Sequence, residues 1–417
     1  MLDTKLLKNN INSIIDSLNS RNFDKTVLSK ISILVKTRNE NIQKLSLLQA
    51  EKNIISKKIP LEKDKSTLLK QANEIKEKIF MMEEKILLLK NELDILLPTI
   101  PNTPLENVPI GKDETDNVVI SEFPEIGRGL VKVMKPHYEI GVDKNIIDFE
   151  RAVKMSGTRF VIYKNEGSKL VRALTNFMLD THTKNGYTEM SVPLLVNSNT
   201  MYGTGQLPKF EDDLFKVAKT DLWLISTAEI PLTNYHNNEI IDLTKPKLFC
   251  SFTPCFRSEA GSAGRDTKGI IRSHQFYKVE MVKISNKEDS INEFNKMVLD
   301  AENLLIALEI PYRKILLCTG DLGFSSKITY DLELWLPSEQ RYREVSSISY
   351  FGDFQSRRSM IRYKDENEKI NFAHTINGSG LAIDRVIAAI LEQYQNDDGS
   401  IDIPKILIPY MMEVKKI

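Results

Sequence analysis

Five side chains between Cys255 and Met281 carry complementary chemistry: Arg257, Glu259, Arg272, Phe276 and Glu280. A guanidinium group grips a phosphate or carboxylate through two parallel bonds and stays charged at any working pH, so two of them suit a polyanion. The aromatic ring offers a face to a flat base, and a carboxylate offers a counter-charge to an ammonium group. ATP together with an amino acid is such a ligand set. The competing reading of the same residues is a solvated hairpin whose charges keep it soluble.

These residues need an element that brings them to one surface. A β-like run from Phe249 to Glu259 meets a loop holding Gly261, Gly264 and Gly269, and a second β-like run from Ile270 to Ile284 follows. The pattern predicts an antiparallel hairpin with a long tip. Positions two apart share a face of a strand, so Arg257 should lie with Glu259, and Arg272 with His274, Phe276 and Glu280.

At 417 residues the chain should form two domains, each able to bury a core. Lys plus Arg equals Asp plus Glu at 57 each, so only the distribution of charge can speak for a nucleic-acid partner. Cys250, Cys255 and Cys318 are too unevenly spaced for a disulfide framework or a zinc knuckle, and no zinc is expected. The start MLDTKLLKNN lacks the apolar core of a secretory signal, and no apolar run approaches a bilayer span. A soluble, cytoplasmic protein without a membrane partner is expected.

Two long helices are predicted near the start. Apolar residues recur at helical spacing from Val27 to Ile59, and Leu68, Ala72, Ile75, Ile79, Met82, Ile86, Leu89, Leu93 and Leu96 form a heptad seam. Pro60 stops the first helix, so the pair should fold back as an antiparallel coiled-coil arm. A second helix from Leu61 to Leu97 would reach roughly 55 Å from the body. Lys25 to Lys70 holds 11 basic and 4 acidic residues, a net of +7, which by itself reads first as a soluble or dimerising helix face, with a grip on RNA phosphates as the functional alternative. Pro98, Pro101, Pro104 and Pro109 then mark a linker, after which short strands, helices and turns alternate in an α+β texture.

The wording PCFRSEAGSAGRDTKGIIRSHQF, from Pro254 to Phe276, resembles motif 2 of the class II aminoacyl-tRNA synthetases, and of the seryl-tRNA synthetases in particular. The resemblance runs from Met1 to about Met411. It implies a tRNA-binding arm over residues 1–100, a linker over 101–115, and a catalytic domain over 116–417 built on a mostly antiparallel sheet flanked by helices. Motif 1 would span about 170–197 and build a homodimer interface, motif 2 about 249–284, and motif 3 about 374–395. Pro193, which the family places in that interface, reads by itself as a strand terminator.

The resemblance also implies roles. Thr227, Ala228, Glu229, Arg257, Glu280 and Ser379 would bind serine, although Thr227 alone reads as a helix cap. Arg257, Ser258, Glu259, Arg272, Phe276, Glu344, Val345, Ser346, Ser347 and Arg385 would bind ATP, with Arg257, Glu259 and Arg385 catalytic. Phe276 would stack on adenine, Glu259 would read its amino edge, and Glu344 with Ser347 would hold Mg²⁺. Their spacing of three puts them on opposite faces of a regular strand, so a bulge or turn is predicted between them. Gly378, Ser379 and Gly380 are expected at the start of an amphipathic helix, whose free amides favour an anion, with Arg385 in its first turn. The segment from Ile315 to Ser349 is expected to form two strands with a turn. MYGTGQLPKF lacks the third glycine and the lysine of a nucleotide fingerprint and is rejected as a phosphate loop.

The implied activity is serine–tRNA ligase, acting on tRNA(Ser), with tRNA(Sec) as a further candidate acceptor. An adenylating paralogue serving a non-tRNA acceptor, or a silent dimeric RNA-binding paralogue, would keep the fold with different partners. The chain departs from the family pattern at Ile348 and Tyr350, which replace Cys and Asn, and at Asp384, which replaces a small residue. An acid beside Arg385 would weaken its hold on phosphate.

Overall fold

The computed structural model describes residues 1–3, 11–62, 64–131, 134–260 and 268–417. The chain divides into two compact units, Met1–Thr103 and Pro104–Ile417.

In the first unit, α1 (Ile11–Asn19) precedes two long helices, α2 (Lys25–Lys58) and α3 (Ser66–Leu96). Asp24 caps α2 by accepting from the Thr26 amide at 2.8 Å. Pro60 falls in a 3₁₀ turn, Ile59–Leu61, where its ring cannot extend the helix. The pair runs antiparallel: Lys30 near the start of α2 meets Glu92 near the end of α3 at 2.7 Å. At the other end Ile55 and Ile59 pack with Leu68, Ala72, Ile75 and Ile79, the first positions of the heptad seam.

The second unit is built on an eight-stranded sheet. In chain order its strands are β1 (Val118–Phe123), β2 (Thr188–Glu189), β3 (Lys247–Phe256), β4 (Gln275–Ser285), β5 (Tyr312–Leu316), β6 (Ile328–Leu336), β7 (Arg341–Gly352) and β8 (His374–Ala382). They lie in the order β1-β5-β6-β7-β8-β4-β3-β2, and every pair is antiparallel except β2 with β3. Helices α4 (Glu166–Lys184), α6 (Ser290–Ala307) and α7 (Ile383–Gln393) contribute one core with the sheet, while the short α5 (Glu229–Asn234) packs elsewhere.

Strand alternation divides this sheet cleanly. Leu332, Leu334, Ile348, Ile376, Val279 and Met281 enter the core with the helices. Their neighbours Asp331, Ser347, Ser349, Asn377, Lys278 and Glu280 line hollows instead. A period of two thus gives one apolar face that holds the fold and a second face that is polar along the hollows, turning apolar again beyond Glu280, where Val282 and Ile284 enter another core.

Three expectations are corrected. The hairpin strands end at Phe256 and begin again at Gln275, farther from the tip than the expected runs to Glu259 and from Ile270; Gly261 and Gly264 lie outside the described residues. Within the expected linker, Val108 packs in the core of the second unit, and the Pro109 carbonyl accepts from the Thr319 amide at 2.8 Å. Gly378, Ser379 and Gly380 belong to β8, with α7 starting only at Ile383. A Cβ at Gly378 would sit 2.8 Å from Ile348, and one at Gly380 would sit 2.3 Å from His182, so these glycines permit close packing rather than a phosphate turn. Finally, the segment from Ile315 holds the end of β5 as well as β6 and β7. In the motif 1 stretch, Pro193 separates β2 from a second short strand, Leu195–Asn197, as a missing amide donor requires.

Candidate active site

The hairpin supplies the floor of the site. β3 and β4 stay in register to Phe256 opposite Gln275, and the Arg257 amide donates to the His274 carbonyl at 2.9 Å, carrying the ladder one step further. Arg257 therefore leaves the sheet at a fixed point, and its guanidinium lies over the Phe276 ring, 5.1 Å from the centroid. Glu259 has left strand geometry, with φ 53°, and accepts from Arg272 Nη1 at 2.6 Å. His274 departs from the shared face: its Nδ1 donates to the Arg257 carbonyl at 3.0 Å and its ring lies 5.5 Å from that of Phe160.

Arg257, Arg272 and Arg385 open into a single cavity of about 640 Å³, together with Thr227, Glu229, Glu259, Phe276, Glu280, Glu344, Val345, Ser347 and Ser379. A second hollow of about 750 Å³ shares Arg272, Glu344, Ser347 and Arg385 with it, so the cationic end is open to further space. Three sequence-expected residues support the cavity without lining it. Ala228 is in the core with Leu232 and Val282. Ser258 donates through Oγ to the Asp212 carbonyl at 2.5 Å. Ser346, buried, donates to the Ser379 carbonyl at 2.5 Å and so fixes β8 beside it.

One end of the cavity is a nest of buried polar groups. Thr227 Oγ1 accepts from the Glu229 amide at 3.2 Å, which turns the Glu229 carboxylate into the site as α5 begins. Gln355 donates to Glu229 Oε1 at 2.7 Å and is itself fixed by the Thr375 hydroxyl at 2.6 Å. Burial first, and the negative charge of Glu280 second, push Glu229 up to about 7. Glu280 accepts from Asn377 Nδ2 at 3.0 Å and pairs with Lys278 Nζ at 2.5 Å. A carboxylate held dry beside another acid gains most from a cationic ligand, and the α-ammonium of an amino acid is one. Lys278, Asn377 and Gln355 were missed by the sequence reading. Lys278 was within reach of it, standing on the same strand face between Phe276 and Glu280; nothing in the sequence singles out Gln355.

The other end carries the bulge. Leu332 pairs with Ser346 but Glu333 pairs with Glu344, so Val345 is the extra residue. That insertion brings Glu344 and Ser347 into the same cavity despite their spacing of three. Asp331 lies opposite Ser347 in register, and its Oδ1 is buried without a hydrogen-bond partner. Burial, then the nearby Glu344, push its carboxyl well above the usual range. Such a set fits a hard divalent cation such as Mg²⁺. Among the described residues no group of three or more His, Cys, Asp and Glu side chains gathers as a cage, and Glu344 and Ser347 are the residues that would hold the ion.

Arg385 Nη1 donates to the Glu344 carbonyl at 2.6 Å and to its carboxylate at 3.2 Å, which aims the guanidinium at the bulge. The neighbouring Asp384 is held elsewhere: it accepts from the Tyr163 hydroxyl and from the Tyr277 amide, each at 2.6 Å. Burial raises it to about 6. Its oxygens are thus tied to β4 and Tyr163, although it lines the same cavity as Arg385. Ile348 is a core residue and Tyr350 Oη bonds His374 Nδ1 at 2.8 Å, so both departures act as packing.

Residues 1–104 match the family model for the seryl-tRNA synthetase N-terminal domain, and residues 209–394 that for the tRNA synthetase class II core domain (G, H, P, S and T). The chain is 60% identical over 422 residues to the serine–tRNA ligase of Mycoplasma mobile, covering 100% of each. It is 55% identical over 421 residues to that of Metamycoplasma arthritidis, covering 100% of this chain and 99% of the relative. A crystal structure of seryl-tRNA synthetase from Pyrococcus horikoshii complexed with ATP superposes with a TM-score of 0.95 at 36% identity, over 100% of this chain and 99% of that one. Prolyl-tRNA synthetase of Giardia lamblia in complex with prolyl-adenylate shares the fold alone, with a TM-score of 0.58 at 15% identity over 67% of this chain and 57% of that one.

Proposed function

The chain belongs to the seryl-tRNA synthetase family, and on that premise we propose that the 640 Å³ cavity is where ATP and L-serine meet. The protein is an ATP-dependent serine–tRNA ligase: it activates serine as seryl-adenylate and transfers it to the 3′ end of tRNA(Ser). The convergence of Arg257, Arg272 and Arg385 on one hollow with two buried carboxylates carries the assignment of the site.

A serine carboxylate oxygen attacks the α-phosphorus, the bond to the β-phosphate oxygen breaks, and pyrophosphate leaves. A hydroxyl of the terminal ribose then attacks the acyl carbon and AMP leaves. Such chemistry asks for alignment and charge neutralisation rather than a nucleophile of the protein's own. Arg257 neutralises the α-phosphate, Arg272 and Arg385 the outer phosphates. Phe276 stacks on adenine, whose amino edge faces Glu259. Glu280 receives the ammonium or hydroxyl of serine, aided by Thr227, Glu229 and Ser379. Glu344 and Ser347 are the residues that would hold Mg²⁺. When bound, the ion neutralises charge between ATP phosphates.

The α2–α3 arm binds tRNA(Ser), the linker region over 101–115 joins it to a catalytic domain over 116–417, and that domain pairs with a second copy through motif 1. The protein works in the cytoplasm; no helix among the described residues is long and apolar enough to cross a membrane.

The test is ATP–pyrophosphate exchange driven by each amino acid in turn, followed by charging of total tRNA. Exchange with serine and charging of serine acceptors are expected. Exchange driven by a different amino acid alone would overturn the reading.

A further inference from the structure

Glu259 adopts left-handed backbone geometry, φ 53°, which is uncommon for a residue with a Cβ. The constraint comes from outside the hairpin. On one side of Glu259 the Ser258 amide donates to the Asp213 carbonyl at 3.0 Å, and the Ser258 hydroxyl donates to the Asp212 carbonyl. On the other side the Ala260 amide donates to Asp213 Oδ1 at 3.2 Å. Both neighbours of Glu259 are thus pinned to one 3₁₀ turn, Glu211–Asp213. The next residue, Leu214, is buried among Val196, Met201, Trp223, Ile225 and Ile230, so the turn is itself anchored. Asp213 lines the same cavity as Glu259.

We infer that Asp213 is a positioning residue for nucleotide selection: its carboxylate holds the Ala260 amide, and so the backbone turn that faces Glu259 towards the amino edge of the purine. The inference rests on the proposed role of Glu259. An ionised carboxylate only accepts hydrogen bonds, so Glu259 matches the exocyclic amine of adenine and opposes the carbonyl that inosine carries there. The Asp213 bond to the amide is charge-assisted, which suits it to hold a disfavoured backbone. Freed of it, Ala260 and the backbone of Glu259 relax, and the carboxylate is left aimed by its bond from Arg272 and the Ser258 contacts.

The experiment compares serine-dependent pyrophosphate exchange with ATP and with ITP for the full-length wild type, Asp213→Ala, Asp213→Asn and Glu259→Ala. Loss of one hydrogen bond to a charged group should raise the KM for ATP about tenfold in Asp213→Ala, and lower the preference for ATP over ITP by about the same factor. The KM for serine and the melting temperature should hold. Asp213→Asn, which keeps an oxygen at Oδ1, should recover most of the ATP affinity. Unchanged preference in Asp213→Ala with lost preference in Glu259→Ala overturns the positioning role alone. Unchanged preference in Glu259→Ala overturns the reading of Glu259, and this inference with it. Should Asp213→Ala not fold, Asp213→Ser takes its place, and failure of both to fold would make Asp213 a structural residue and reject the proposal.

Discussion

A nearly buried carboxylate is the most informative single residue of this site. Glu229 is raised to about 7 by burial and by Glu280, so in the empty chain it keeps its proton more tightly than in the unfolded one. The stability linked to this group is therefore present below its ordinary value of 4.5 and is lost as pH rises towards 7. An ammonium ligand reverses the preference, because it favours the ionised form. Serine binding measured by calorimetry should accordingly strengthen about tenfold between pH 6 and pH 8 and release a proton at the lower end. Glu229→Gln should flatten that profile. A profile that is already flat in the wild type would show that Glu229 does not face the amine.

At the scale of elements, the outcome turns on how a sheet uses its two faces. The alternation that sets Glu280 with Phe276 was legible because it needs only a period of two, and the bulge was legible because a spacing of three cannot serve one face without it. What the sequence concealed depends on contacts made across the fold. The turn at Glu259, the pinning of Ala260 by Asp213 and the Gln355 support of Glu229 join residues 47 and 126 positions apart. The glycines of motif 3 misled for the same reason, since their partners Ile348 and His182 lie on other elements. Gly378→Ala would place a methyl group 2.8 Å from Ile348 and 3.1 Å from Met297 Sδ. It should destabilise the protein by about 1–3 kcal/mol, read as a lower denaturant midpoint with an unchanged slope. An unshifted midpoint would mean that β8 and α6 are less tightly packed than described.

For the molecule as a whole, the chain forms two compact units, and the proposed function gives tRNA binding to the first and catalysis to the second. The catalytic unit has its own core and its own cavity, so removal of residues 27–97 should leave serine-dependent exchange nearly intact while tRNA charging collapses. Charging that survives the deletion would place acceptor recognition elsewhere. The central claim is narrower and concerns three cations in one hollow. Serine-dependent ATP–pyrophosphate exchange by Arg257→Ala tests it most directly: the account predicts activity at the background level with the fold intact, and exchange at the wild-type rate would contradict it.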